Sequence, residues 1–279
     1  MDPKPPVHDQ TLSLNGLRFH YREWGEPTAP AVVLLHAYTQ HARTWDTVAR
    51  QLAKRYRVLA LDQRGHGESE HTTDYGEQRL VDDLAAFVDA LGLVRFRAVG
   101  FSIGGAAAGG FAARHPEQVE RLVLVENFTD GDEPEAVAHL TTLRGLPASF
   151  ASPEEAAAAF RPLAPYAKED ELLHWMASGL VRGTDERFHW RYDPVFHQYG
   201  PPGRLVPAMA VFWERLRQVT CPVLLVVGAG SWMVEAVQQM APVYPSARLA
   251  IVAQAGHWVP LDNPQEFLQV VNGFLTEDD

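Results

Sequence analysis

A serine turn at residues 100–104 constrains this chain more than any other part of its sequence. The five residues read Gly-Phe-Ser-Ile-Gly and follow the apolar run at 96–99. A strand that ends in Gly-x-Ser-x-Gly and turns at once into a helix holds its serine on a tight corner, with the hydroxyl clear of the backbone. A histidine can reach the hydroxyl there, and the oxygen can attack a bound carbonyl. The motif therefore predicts a strand, a sharp turn and a helix, with Ser102 as a nucleophile.

Strand and helix patterns alternate along most of the chain. Short apolar runs predict strands, and apolar residues at helical spacing predict amphipathic helices. The predicted strands cover residues 11–14, 17–23, 31–35, 57–61, 96–101, 119–125, 223–227 and 248–252. Further helices are predicted around residues 45–52 and 80–91, and over 234–240 and 264–275. This alternation predicts an α/β fold with a mostly parallel central sheet and helices on both faces.

The segment from residue 131 to residue 218 breaks the alternation. It has helical patterns at 154–160 and 169–176, followed by a stretch rich in proline and aromatic residues between 188 and 207. A block of this size between two strands is typical of an inserted helical cap rather than of a loop. We therefore expect a core made of residues 11–130 and 219–279, a cap at 131–218, and a mobile tail at 1–10.

Composition and charge argue against several classes of function. The chain has 279 residues and a formal net charge of −11, with no basic stripe that would bind nucleic acid or an anionic membrane. No apolar stretch reaches the roughly 18 residues of a membrane span, and the N-terminal residues lack the apolar segment of a secretory signal. The single cysteine, Cys221, cannot form an internal disulfide. We therefore expect a cytoplasmic protein without nucleic-acid or membrane partners, and a homo-oligomer stays open.

A nucleophilic serine requires a base, a group that orients the base, and donors for the oxyanion. The base is expected on a loop late in the chain. His257 lies between the last predicted strand and the last predicted helix, which is that place. We therefore predict His257 as the base, and we expect neither a cofactor nor a metal.

Several segments of the chain together resemble the α/β-hydrolase family, over residues 11 to 275. These segments are residues 34–36 with Trp45 downstream, 61–69, the serine turn, 222–225, and 255–257 with 262–264. The resemblance implies the α/β-hydrolase fold, with His36 shaping the loop after the third strand. It also implies an oxyanion hole formed by the backbone N–H groups of Tyr38 and Ile103. The family usually has His-Gly where this chain has His36-Ala37.

The catalytic acid is where the chain departs most from the family. Members usually carry an aspartate three or four residues after the glycine that ends the strand before the last pair of helices, but Gly228 is followed here by Ala-Gly-Ser-Trp-Met. Haloalkane dehalogenases, coelenterazine luciferases and zearalenone-type lactonases place their acid at the end of the strand after the nucleophile helix. In this chain that strand ends in Glu126. The resemblance to the lactonases, which combine serine with glutamate, implies that Glu126 and not Glu235 orients His257.

The predicted function is hydrolysis of a carboxylic ester or lactone through an acyl-enzyme on Ser102. Aromatic residues near the site and in the insertion predict an apolar pocket for a bulky hydrophobic or aromatic substrate such as a macrocyclic lactone. The predicted substrate-binding residues are Phe101, Trp190, Tyr192, Trp213, Trp232 and Trp258. Two alternatives stay open: a cofactor-free oxygenase or C–C lyase on the same fold, and a ligand-binding pseudoenzyme.

Overall fold

The computed structural model of the chain describes residues 6–127, 134–198, 209–241 and 247–277. Within these ranges, eight strands form one sheet and three short strands form a second. The strands are β1 (Val7–Leu14), β2 (Leu17–Trp24), β3 (Ala31–Leu35), β4 (Arg57–Leu61), β5 (Phe96–Phe101), β6 (Val119–Val125), β7 (Ser149–Phe150), β8 (Leu180–Arg182), β9 (Phe188–Trp190), β10 (Val223–Gly228) and β11 (Ala247–Val252). The helices are α1 (Asp46–Leu52), α2 (Glu77–Ala90), α3 (Ile103–Arg114), α4 (Pro134–Arg144), α5 (Pro153–Phe160), α6 (Glu169–Gly179), α7 (Pro194–Gln198), α8 (Met209–Leu216), α9 (Val234–Met240), α10 (Val259–Asp262) and α11 (Pro264–Leu275), with a 3-10 helix (Ala42–Trp45) ahead of α1.

The large sheet has the order β1-β2-β4-β3-β5-β6-β10-β11. Strand β2 pairs antiparallel with both of its neighbours, and all other pairs in the sheet are parallel. The inner strands β3, β4 and β6 each contain a buried run of Val, Leu or Ala at least four residues long, as expected of strands that helices cover on both faces. This confirms the predicted α/β fold with a mostly parallel central sheet.

The order of the strands creates a crevice beside the serine turn. The chain passes from β3 to β4 in one direction along the sheet and then returns past β3 to β5. Because such crossovers are right-handed, this reversal puts α1 on the opposite face from α2 and α3. In open α/β sheets, ligands bind at the carboxyl ends of the strands where the order reverses. The loop after β3 and the turn after β5 meet at that point.

The N-terminal hairpin corrects one predicted boundary. Strand β1 begins at Val7 and pairs with β2 through the two-residue turn Asn15-Gly16, in which both residues have positive φ. That is the type I′ geometry that an Asn-Gly pair predicts. Residues 7–10 therefore belong to a strand and not to a mobile tail, because β2 extends far enough to pair with them. Residues 1–5 of the predicted tail lie outside the described residues.

In the described residues, the segment between β6 and β10 contains helices α4 to α8 and the small antiparallel sheet β7-β9-β8. Helices α5 and α6 match the two predicted helical patterns, whereas α4, α7, α8 and the small sheet were not predicted. Several hydrogen bonds join the described part of this segment to the core, including two close to the loops after β3 and β4. The Tyr38 hydroxyl donates to the carbonyl oxygen of Phe196 over 2.8 Å, and the Asp193 N–H donates to the carbonyl oxygen of Gly65 over 2.8 Å. The predicted start of the cap at residue 131 and the proline-rich residues 199–207 lie outside the described residues. No helix in the described part of the chain is long and apolar enough to cross a bilayer.

Candidate active site

Ser102 occupies the sharp corner that its motif predicts. Its backbone has φ 52° and ψ −115°, a strained conformation for a residue with a side chain, and α3 starts at the next residue. Two of the hydrogen bonds that hold the corner come from or reach β6 and its end: the Ser102 N–H donates to Val125 O over 2.8 Å, and Asn127 Nδ2 donates to Ser102 O over 2.6 Å. A Cβ atom at Gly100 or Gly104 would lie 2.3 Å from a backbone oxygen, so both glycines of the motif are sterically required.

His257 lies in the loop between β11 and α10, where it is buried. Its Nδ1 lies 3.2 Å from Oε2 of Glu126. The preceding residue is anchored as well, because the Gly256 N–H donates to Oδ2 of Asp262 over 2.8 Å. The tautomer that carries its hydrogen on Nδ1 donates to Glu126 and leaves Nε2 able to accept a proton. This is the arrangement that a histidine base requires.

Glu126 follows β6 directly and is 1% exposed. Its φ of 49° places it in the left-handed region, which bends the chain at the strand end. Three donors surround its carboxylate: the Gly228 N–H donates to Oε1 over 2.7 Å, the Ser231 hydroxyl donates to Oε2 over 2.7 Å, and His257 approaches the same Oε2. Glu235, by contrast, is exposed in the first turn of α9. The structure thus brings Glu126 to His257, which is the geometry predicted for the acid.

Burial shifts the pKa values of these two groups in opposite directions. It raises the pKa of Glu126 to about 8, against the hydrogen bonds from Gly228 and Ser231, which lower it. It lowers the pKa of His257 to about 3. Since both shifts disfavour charge, the buried imidazole is held neutral at neutral pH, the form that can act as a base. Perturbed values of this kind cluster at functional sites.

The loop after β3 carries Tyr38, one of the two predicted oxyanion donors. His36 is fully buried and shapes this loop, as predicted: its Nε2 accepts from the Gln63 N–H over 2.9 Å, and its Nδ1 therefore donates to Ala37 O over 2.8 Å. The positive φ of the loop falls at Thr39, at 63°, and not at Ala37. Alanine in place of the usual glycine is therefore compatible with the loop conformation.

Ile103, the second predicted oxyanion donor, is the first residue of α3. Its N–H is among those at a helix N-terminus that have no partner within the helix. The loop that carries Tyr38 follows β3, and α3 follows β5. Because β3 and β5 are paired in parallel, the loop and the start of α3 lie at the same edge of the sheet. The oxyanion roles of Tyr38 and Ile103 stay predictions.

Three of the predicted substrate-binding residues surround His257. The ring of Trp232 stacks on the imidazole at a centroid distance of 5.0 Å and an interplanar angle of 26°. The rings of Phe101 and Trp258 lie 5.4 Å and 5.3 Å from it. A fourth ring, His139 of α4, was not predicted and lies 4.9 Å from the imidazole. No sequence signal distinguished His139, because it reaches the site only through the packing of the insertion.

The other three predicted substrate-binding residues have different surroundings. Trp190 stacks on Tyr192 at 5.6 Å, and its indole N–H donates to the carbonyl oxygen of Pro147 within the insertion. Both rings line an open groove of about 790 Å³, whose lining does not include Ser102, Glu126 or His257. Trp213 is buried in α8, a helix that packs against α3. Their substrate-binding roles stay predictions.

Within the described ranges, no group of three or more His, Cys, Asp and Glu side chains could hold a metal ion. A serine on a strained corner, a buried neutral histidine and a buried carboxyl group at its Nδ1 are the parts of a nucleophilic triad.

Comparisons with known proteins identify hydrolases of similar sequence and a solved structure with the same fold. The chain is 29% identical over 260 residues to the sn-1-specific diacylglycerol lipase ABHD11 of Mus musculus, which covers 90% of this chain and 82% of that protein. It is 31% identical over 237 residues to the 3-hydroxybutyrate-oligomer hydrolase of Cupriavidus necator, covering 80% of each. The crystal structure of E-2-(acetamidomethylene)succinate hydrolase has the same fold, with a TM-score of 0.86 at 24% identity over 98% of this chain and 100% of that one.

A model of the α/β-hydrolase fold family matches residues 30–264, from the start of β3 to the start of α11. The relatives named here are hydrolases. The finer likeness to zearalenone-type lactonases stays a prediction. Because the family model spans most of its length, this chain belongs to the α/β-hydrolase fold family.

Proposed function

We propose that this protein hydrolyses a carboxylic ester or lactone through an acyl-enzyme on Ser102, with His257 as the base and Glu126 as the acid that orients it. The observation that carries the proposal is the 3.2 Å contact between Nδ1 of His257 and Oε2 of Glu126. Glu126 follows β6 and Ser102 follows β5. Because these two strands are paired in parallel, the contact and the strained corner of Ser102 lie at the same edge of the sheet. The hydrolase relatives support the reaction class.

The reaction begins when Oγ of Ser102 attacks the carbonyl carbon and its proton passes to Nε2 of His257. The carbonyl electron pair moves to the oxygen, and backbone N–H groups at Tyr38 and Ile103 stabilise the charge. Collapse of the tetrahedral species expels the alcohol oxygen, which takes the proton from His257. In a lactone, that alcohol stays attached to the acyl group. Water activated by His257 then attacks the acyl-enzyme, releases the carboxylic acid and restores Ser102.

Glu126 acts through His257 in each of these steps. Its carboxylate accepts the hydrogen on Nδ1, which keeps Nε2 free as the acceptor. When the imidazole gains its second proton, the nearby negative charge stabilises the cation. The burial of Glu126 strengthens this effect, because charges interact more strongly where water is excluded.

We further propose that the substrate is bulky and hydrophobic or aromatic, such as a macrocyclic lactone, and that residues 131–218 form a cap over the site. The ring cluster of Phe101, Trp232 and Trp258 around His257 supports an apolar pocket. The position of His139, from the insertion, against the ring of His257 supports the cap.

A fluorophosphonate probe tests the nucleophile. We expect its mass on the peptide that carries Ser102, and we expect Ser102→Ala to abolish the label. Ser178→Ala is the matched control, because Ser178 lies in α6 and its hydroxyl donates to carbonyl oxygens of the same helix. Labelling at another residue of folded protein would contradict the proposal.

The reaction class is tested with a panel of esters and lactones hydrolysed in water enriched in ¹⁸O. Hydrolysis through an acyl-enzyme places the label in the acid product. Oxygen consumption with a heteroaromatic substrate, and no acyl-enzyme, would instead favour the oxygenase alternative.

A further inference from the structure

Ser231 lies in the loop after β10, three residues beyond Gly228, and is 5% exposed. It falls within the segment where the family usually carries its aspartate, and its side chain is turned to Glu126. The Ser231 hydroxyl donates to Oε2 of Glu126 over 2.7 Å. This is the same oxygen that faces Nδ1 of His257.

The direction of the Ser231 hydrogen bond is set by its other partner. Oγ of Ser231 accepts from the Met233 N–H over 3.2 Å. A hydroxyl has one hydrogen to donate, and an ionised carboxylate can only accept. The hydrogen of Ser231 therefore points to Oε2, and the bond favours the charged form of Glu126.

The two carboxylate oxygens of Glu126 are held separately. The Gly228 N–H holds Oε1 over 2.7 Å, and the Ser231 hydroxyl holds Oε2. Rotation of the carboxylate about its last side-chain bond would break both bonds. If the Ser231 bond alone were lost, Gly228 would still hold Oε1, and of the donors Gly228, Ser231 and His257 only His257 would still face Oε2.

We propose that Ser231 is a positioning residue, whose hydroxyl aims Oε2 of Glu126 at His257 and stabilises its charge, so that a serine and a distant glutamate together do the work of the usual aspartate. The inference rests on the proposed function, because it assigns Glu126 the role of the acid.

The test must separate this role from simple packing. Among the described residues, the titratable groups near Glu126 are His257 and Asp262, and His139 lies beyond His257. Ser231→Ala keeps the loop residue small but removes the donor, and Ser231→Thr keeps the hydroxyl. Ser69→Ala is the matched control, because Ser69 is also a buried serine with two bonds, to His20 and to Asp62, in another part of the fold.

The first measurement is the rate at which the fluorophosphonate labels Ser102, followed from pH 5 to pH 10. A hydrogen bond to a charged group is strong enough that its loss slows the reaction about tenfold to a hundredfold near neutral pH. We expect Ser231→Ala to shift the acid limb of this pH–rate profile to higher pH, by about one pH unit or more. Ser231→Thr should restore the limb, and Ser69→Ala should leave it in place.

The second measurement does not depend on activity. The low-field proton resonance of the His257 Nδ1–H, identified by its loss in His257→Gln, reports the ionisation of Glu126. In Ser231→Ala, we expect it to titrate at higher pH than in the wild type. If the wild type is not labelled at Ser102, the proposed function fails, and this titration alone decides the role of Ser231. The inference is overturned if Ser231→Ala lowers the melting temperature but leaves both the titration of the resonance and the acid limb of the labelling profile as in the wild type.

Discussion

Replacing Glu126 by glutamine tests the acid with the smallest possible change of shape. Oε1 of the new side chain can still accept from the Gly228 N–H, which lies 2.7 Å from the present oxygen. The amide NH₂ group then takes the place of Oε2, where it meets two groups that now donate, the Ser231 hydroxyl and Nδ1 of His257. An N–H facing an N–H is unfavourable, so the imidazole moves its hydrogen to Nε2 and can no longer act as a base.

The size of the effect follows from this change of tautomer. An amide in place of the acid in a serine triad lowers kcat by up to about 10⁴-fold. We expect Glu126→Gln to lower the acylation rate by at least about a hundredfold, with the fold intact. Glu235→Gln is the matched control, because Glu235 is exposed on α9, and it should react at the wild-type rate.

The assay is the single-turnover burst of p-nitrophenol from an activated ester. It measures acylation directly, whereas steady-state rates could be limited by product release from under a cap. Circular dichroism and the melting temperature check folding. If Glu126→Gln is acylated at the wild-type rate, the assignment of Glu126 as the acid is refuted. The protein would then use a serine–histidine dyad or another acid.

Three further predictions concern pH and the surroundings of the histidine. Glu126 must be ionised to accept from His257, and burial raises the pKa of Glu126 to about 8. We therefore expect kcat/KM to rise as the pH increases towards 8. The residual activity of Glu126→Gln should not show this rise. Trp232→Ala removes a ring stacked on the imidazole and should change the ratio of kcat/KM between bulky and small esters. Trp190→Ala tests a predicted substrate-binding residue in the same way and should also change that ratio; a lower melting temperature with an unchanged ratio would show that Trp190 only packs within the insertion. His139→Phe keeps a ring beside His257 but removes a buried Nε2 that has no hydrogen-bond partner among the described residues, so we expect weaker hydrolysis of esters whose acyl group carries a hydroxyl and unchanged hydrolysis of the same esters without it; equal effects on the two would contradict a polar contact.

The inner strands of the large sheet could be predicted closely from the sequence, because each is a short apolar run that helices bury on both faces. The start of β1 could not. Residues 7–10 read Val-His-Asp-Gln and are mostly exposed, so they form a strand through pairing with β2 and not through burial. The strands β8 and β9, at three residues each, are too short to show a period in the sequence.

The candidate site divides in the same way. Ser102, Glu126 and His257 could be predicted as candidates because each lies in the turn or loop that follows a recognisable strand, and parallel strands end at one edge of the sheet. Ser231 and His139 could not, because their roles depend on contacts between segments far apart in the sequence. The hydroxyl of Ser231 meets a carboxylate 105 residues away, and His139 approaches through the fold of the insertion.

The hydrogen bond from the Ser102 N–H to Val125 O has a mechanical consequence. It extends the hydrogen-bond ladder between β5 and β6 by one bond, so the nucleophile and the residue before the acid are joined through the central sheet. The Glu126 N–H continues the ladder on the other side, to Val226 of β10. The register between β5 and β6 therefore sets the spacing between the nucleophile and the acid. A shift of β6 by one residue relative to β5 would turn the side chain of Glu126 to the other face of the sheet. Hydrogen exchange at these amides should require cooperative opening of the whole sheet, so loosening of the insertion would alter access to the site long before it disturbed the spacing of the two groups.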